Sequence, residues 1–201
     1  GSASRKRSDE WFSFDWMECD GCSPDRECDG SCGRWASIPF EKIGGFLFEP
    51  GSSAGLVRFP PAMLIRRIAH AVREVDGLVL VNEVTTGTGR TGTWFGYQHY
   101  DLSPDIVATG KGIGNGYPVS VAAFGPRAVA RLGGREVKYA QSHQNDPVGA
   151  AVVREVIRVI RQDGLIDRGR EIAKVLLEGL ERIRSNTGAI RLYQSLGFSQ
   201  I

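Results

Sequence analysis

Residues 78–81 read Leu-Val-Leu-Val, an apolar run with no polar alternation, set between Gly77 and the pair Asn82-Glu83. A strand with one face in water would alternate polar and apolar side chains, so this run fits a central strand of a parallel sheet. Three more short apolar runs accompany it: residues 43–49, closed by Pro50, residues 106–108 and residues 119–124. Between the first two runs, Pro60 and Pro61 open a helix, because proline is tolerated in a first turn. Apolar residues at 64, 65, 68, 69 and 72 carry the helical period and Gly77 closes it. Strand, helix and strand joined by short connections predict an α/β fold, a mainly parallel sheet with flanking helices and right-handed crossovers. Ligands of such sheets sit beyond the carboxyl ends of the strands. Asn82-Glu83 follows one such end and Thr109-Gly110-Lys111 another, so the topology directs position 82 and Lys111 toward one crevice.

Four regions separate along the chain. Residues 1–37 hold all four cysteines and show no sustained period, residues 38–150 carry the α/β pattern, residues 151–184 are helical, and residues 185–201 form a tail. The helical region repeats apolar residues at 152, 153, 156, 157, 159 and 160, then at 172, 175, 176, 177 and 180. Gly164 divides it into two amphipathic helices. The net charge of +2 gives no reason to expect nucleic acid or an anionic membrane as partner. No apolar run approaches the roughly 18 residues of a membrane span. Gly1-Ser2, without an initiator Met, reads as an expression scar, and residues 1–7 lack the apolar core of a signal peptide. The expected compartment is the cytoplasm.

Lys111 lies in Thr-Gly-Lys-Gly-Ile-Gly-Asn-Gly, residues 109–116, a lysine among four glycines just after a strand. The plainest reading of a loop lysine is a solvated one. Here the glycines allow a ligand close to the backbone. The spacing of a nucleotide-phosphate loop, Gly-x-x-x-x-Gly-Lys-Ser/Thr, is absent. A lysine that condenses with an aldehyde must be deprotonated, which a desolvated pocket or a neighbouring cation assists.

Residues 81–92 (Val-Asn-Glu-Val-Thr-Thr-Gly-Thr-Gly-Arg-Thr-Gly), Pro104-Asp105-Ile106 and residues 110–118 (Gly-Lys-Gly-Ile-Gly-Asn-Gly-Tyr-Pro) resemble the class III pyridoxal-phosphate (PLP) aminotransferases. The likeness extends to Phe48-Glu49-Pro50 and to residues 142–147, and covers about residues 40–183. It implies a fold type I PLP enzyme: a seven-stranded, mainly parallel sheet in a homodimer with sites at the subunit interface. It also implies amino-group transfer between a small-molecule amino donor and a keto acceptor. Lys111 would hold PLP as a Schiff base and later move a proton at the substrate Cα. Val84 would pack on the pyridine ring, and Ser142 would reach the phosphate of the partner subunit's cofactor; core packing and loop capping are the alternatives for these two. Asp105, Arg90 and Glu49-Pro50 read as structural, and Trp94, Phe95, Tyr97, His99 and Tyr100 as a packing cluster.

Three departures from the family pattern follow. Asn82 stands where the family has an aspartate that pairs with the protonated pyridine nitrogen. Asparagine offers a hydrogen bond without charge, and each unit of ring-nitrogen pKa corresponds to about 1.4 kcal/mol. Glu83 cannot replace it, since adjacent strand residues face opposite ways. Ala54 stands where many relatives carry a gating glutamate. The chain is also short for the family: the phosphate-cradling loop, the residue stacked on the ring and the arginine that grips the substrate carboxylate fall outside it.

Cys19, Cys22, Cys28 and Cys32 fall within fourteen residues and form a candidate structural zinc site, with disulfides or free thiols as alternatives. Residues 186–198 are similar to a short terminal segment of acetyl-CoA-dependent N-acetyltransferases. Two further readings therefore stand beside the aminotransferase: a non-catalytic remnant acting as a dimerisation or metal-organised module, and acetyl transfer. Sheet strands left without partners recruit other chains, so an oligomer is expected.

Overall fold

The computed structural model describes residues 12–14, 29–51, 58–135 and 144–186, with residues 188, 191 and 195. The chain divides into two compact units, Gly1–Val156 and Ile157–Ile201.

The first unit is built on a four-stranded sheet of order β1-β2-β3-β4, with β1 Gly45–Phe48, β2 Leu78–Asn82, β3 Ile106–Thr109 and β4 Val121–Phe124. The first three strands are parallel, and β4 runs antiparallel to β3. The run at 78–81 is central, as its composition predicts, with β1 and β3 on either side. Its burial nevertheless alternates: Val79 and Val81 are buried, whereas Leu78 and Leu80 are half-buried. Leu47, the register partner of Leu80, is 52% exposed. The face bearing Leu47 and Leu80 is thus the open one, and β2 is fully covered on one side only.

A short helix, α1 (Gly33–Ala36), precedes β1, and α2 (Ala62–Glu74) forms the β1–β2 crossover. The residues that α2 buries are Leu64, Ile65, Ile68, Ala69 and Val72, the five positions of its apolar period. Leu64, Ile68 and Val72 pack with Phe14, Trp35, Phe40, Ile43 and Phe46; Ile65 packs with Phe48, Val81 and Tyr100. Two neighbouring clusters therefore share one helix. The helix ends at Val75, and Gly77 turns the chain into β2, its N–H donating to the Val72 carbonyl at 2.7 Å. A Cβ at position 77 would lie 2.5 Å from Cγ1 of Val72, so only glycine fits this approach without movement.

From β2 to β3 the chain runs without an α-helix, through residues 83–105 and a 3₁₀ turn at Gly96–Tyr100. Asp105 fixes the entry to β3. Its carboxylate accepts from Val79 N–H at 2.8 Å and pairs with Arg73 at 3.4 Å and Arg127 at 3.5 Å. A buried carboxylate needs such satisfaction, which bears out its reading as a structural residue. Arg127 belongs to α3 (Pro126–Leu132), which follows β4. It also pairs with Asp76 at 3.2 Å.

The helical region forms α4 (Pro147–Gln162) and α5 (Leu165–Arg184), separated at Gly164 as its position predicts. Gly149 of α4 packs beside Val119 and Tyr117. On α5, Ile172, Val175, Leu176, Leu177, Leu180 and Ile183 are each at least 51% exposed. No helix among the described residues is long and apolar enough to cross a membrane.

Candidate active site

The carboxyl ends of β2 and β3 meet in register, with Asn82 opposite Ala108 and the Glu83 N–H donating to the Ala108 carbonyl at 2.7 Å. Two loops leave from this rim. The loop after β2 is organised by Glu83, which is fully buried. Its carboxylate accepts from Thr86 Oγ1 at 2.7 Å, Gly96 N–H at 2.9 Å and Tyr97 N–H at 2.7 Å. Three donors satisfy a charge that would otherwise be costly to bury, and they fold the loop back on its own start. Asn82 faces a different set of groups: its Oδ1 accepts from Val84 N–H at 3.0 Å, leaving the amide NH₂ as its outward donor.

The loop after β3 opens with a 3₁₀ turn at Lys111–Gly114. Lys111 itself has φ +47°, a left-handed conformation that costs a non-glycine residue about 1–3 kcal/mol. Opposite it in the first loop, Thr88 is also left-handed, at φ +62°, and is β-branched. Strain of this kind on two facing loops accompanies functional sites. The Lys111 side chain is exposed, and its Nζ donates to Thr85 Oγ1 at 3.3 Å. No carboxylate pairs with Lys111 among the described residues. Val84 lies beside Gly110: a Cβ there would be 3.7 Å from its Cγ2. The buried hydroxyls of Thr88, beside Gly112, and of Thr109, two residues before Lys111, have no hydrogen-bond partner among the described residues.

Of the residues singled out in the sequence, Lys111, Asn82 and Val84 thus line one rim. Ser142 and Ala54 lie outside the described residues, as do Cys19, Cys22 and Cys28. Cys32 is described and caps α1, its Sγ accepting from Trp35 N–H at 3.4 Å. Among the described residues no three His, Cys, Asp or Glu side chains come close enough to hold a metal. Sequence reasoning missed Thr85 and the organising role of Glu83. Nothing in the Thr-Thr-Gly-Thr-Gly composition distinguishes Thr85 from Thr86, although one meets the lysine and the other the buried carboxylate.

A family profile described as Aminotransferase class-III matches residues 37–197. The chain belongs to the class III aminotransferases. It is 31% identical over 157 residues to a taurine–pyruvate aminotransferase of Rhodobacter capsulatus, covering 75% of this chain and 34% of that protein. It is 34% identical over 155 residues to ethanolamine-phosphate phospho-lyase homolog 1 of Caenorhabditis elegans, with 74% and 33% covered. Among solved structures, an (S)-enantioselective omega-transaminase from Thermomicrobium roseum superimposes with a TM-score of 0.66 at 32% identity, over 74% of this chain and 34% of that one. This class III chain spans about a third of the length of the curated relatives it matches. The likeness supports the mainly parallel sheet with flanking helices of fold type I transaminases, here present in part.

Proposed function

We propose that this chain is the lysine-bearing part of a PLP-dependent aminotransferase, acting on a small-molecule amino donor and a keto acceptor. The observation that carries the reading is the position of Lys111. Its amine stands at the carboxyl rim of a parallel sheet, on the loop after β3, against the loop after β2. The residues present suit PLP: a primary amine without a carboxylate partner among the described residues, an amide donor at the neighbouring strand end, and an aliphatic side chain at Val84. Bound there, PLP would supply an aldehyde and an electron-withdrawing ring. Lys111 would hold it covalently and carry the proton at the substrate Cα. Asn82 would donate its amide N–H to the ring nitrogen, Val84 would lie on the ring, and Ser142 would meet the phosphate of a partner subunit's cofactor. Homo-oligomeric assembly and a cytoplasmic setting complete this reading. Zinc at Cys19, Cys22, Cys28 and Cys32 rests on spacing alone, and metal analysis of protein purified without chelator tests it.

The experiment is to add PLP to the purified chain, fix the product with borohydride and locate the pyridoxyl label by peptide mass spectrometry. The expected outcome is a label concentrated on Lys111 and lost in Lys111→Ala. Even labelling of all five lysines would overturn the proposal. The second reading, a non-catalytic remnant that assembles with other chains, is favoured by the exposed apolar face of α5. A stable dimer without a Lys111 label would establish it.

A further inference from the structure

We infer that Thr85 is a positioning residue for the Lys111 amine, holding it by a neutral hydroxyl that serves both of its protonation states. The inference deepens the reading of Lys111 as the reactive amine and rests on it. Lys111 and Thr85 are 26 residues apart and belong to loops leaving different strands. Their contact is the one hydrogen bond joining the lysine's amine to the rest of the described protein, Nζ donating to Oγ1 at 3.3 Å. The Thr85 hydroxyl has no other hydrogen-bond partner there.

Both partners are fixed from behind. Glu83 pins the first loop through Thr86, Gly96 and Tyr97, one residue beyond Thr85 on the near side. The backbone of Lys111 is held in its left-handed conformation by the turn bonds Ile113 N–H to Gly110 O at 3.2 Å and Asn115 N–H to Gly112 O at 3.1 Å. A long flexible side chain loses rotamer freedom when it is held in one place. A fixed backbone and a fixed acceptor reduce what remains to be ordered when the amine reacts.

The chemical type of the partner also matters. A carboxylate at position 85 would favour the ammonium form, which has no lone pair with which to attack an aldehyde. A hydroxyl accepts from the ammonium and can turn to donate to the free amine, so it orients the nitrogen without fixing the charge.

The test uses the full chain and two aldehydes. Formaldehyde with cyanoborohydride methylates amines irrespective of any cofactor site, and Lys42 and Lys174 of the same molecule serve as internal references. Mass spectrometry reads the ratio of Lys111 labelling to these two across pH. Thr85→Val should lower that ratio about three- to tenfold, the worth of one neutral hydrogen bond, and Thr85→Ser should restore it. Thr85→Asp should move the onset of Lys111 labelling to higher pH, a shift that a purely structural role of residue 85 would not produce. An unchanged ratio in Thr85→Val, or an unmoved onset in Thr85→Asp, would overturn the inference. Unfolding of Thr85→Val, detected by circular dichroism, transfers the decision to the Ser and Asp variants. PLP in place of formaldehyde reports separately on the proposed function: wild-type protein that follows the formaldehyde pattern yet takes no PLP at Lys111 would sink the cofactor assignment and leave the role of Thr85 standing.

Discussion

Asn82 and Tyr100 illustrate two ways in which a single polar group sets behaviour. The Asn82 Oδ1 is occupied by Val84 N–H, so the side chain can offer a ring nitrogen a donor but no negative charge. Asn82→Asp is therefore expected to tighten PLP binding, by about tenfold for each unit by which it raises the ring-nitrogen pKa. Equilibrium titration followed by absorbance measures this, and equal affinities would show that position 82 does not meet the ring nitrogen. Tyr100 is buried and donates its hydroxyl to the Pro50 carbonyl at 3.0 Å. Burial, with the Glu83 charge as a smaller cause, pushes the phenol well above its ordinary range. Its proton is held more tightly in the folded protein than in the unfolded one. This contribution to stability is complete below the unfolded pKa of about 10 and declines as pH rises through and above that value. Tyr100→Phe should cost about 1 kcal/mol at neutral pH and flatten the alkaline loss; urea unfolding at neutral pH and again above the unfolded pKa checks it.

At the scale of elements, periodic signals were legible and loop chemistry was not. The apolar period of α2 named its buried face residue for residue, and Gly164 marked the break between α4 and α5. The strand at 119–124 begins two residues later than its composition implies, because Tyr117 and Val119 are engaged in the preceding turn. Covering of the sheet could not be read from composition, since Leu78 and Leu80 look identical to buried residues until their neighbours are known. At the site, position 82, Lys111 and their approach followed from strand order. Thr85 did not, because a hydroxyl's partner is set by loop geometry and leaves no period in the sequence. The contrast between faces gives a direct expectation. Leu64→Ala, at a residue 1% exposed, should cost about 2–5 kcal/mol in urea unfolding. Leu177→Ala, at a residue 63% exposed, should stay within about 0.5 kcal/mol. Similar losses at both would mean that α5 is covered in solution.

For the whole molecule, that uncovered α5 surface and the open side of the sheet bear on assembly. Exposed apolar area of this extent is rare on a soluble monomer. Sedimentation is expected to find an oligomer whose fraction falls on dilution, and a purely monomeric profile at all concentrations would contradict this. The sheet itself is fastened differently at its two ends. Around Asp105, three elements are joined by ion pairs with Arg73 and Arg127, and the outer pair of Asp76 with Arg127 lies largely in solvent. Around Lys111 the loops are tied by hydroxyl and backbone amide donors, most of them meeting the buried Glu83 carboxylate. Dissolved salt screens the exposed Asp76–Arg127 pair and reaches the buried carboxylates of Asp105 and Glu83 much less. Ionic strength can thus loosen the outer pair at one end of this sheet while the reactive end keeps its shape.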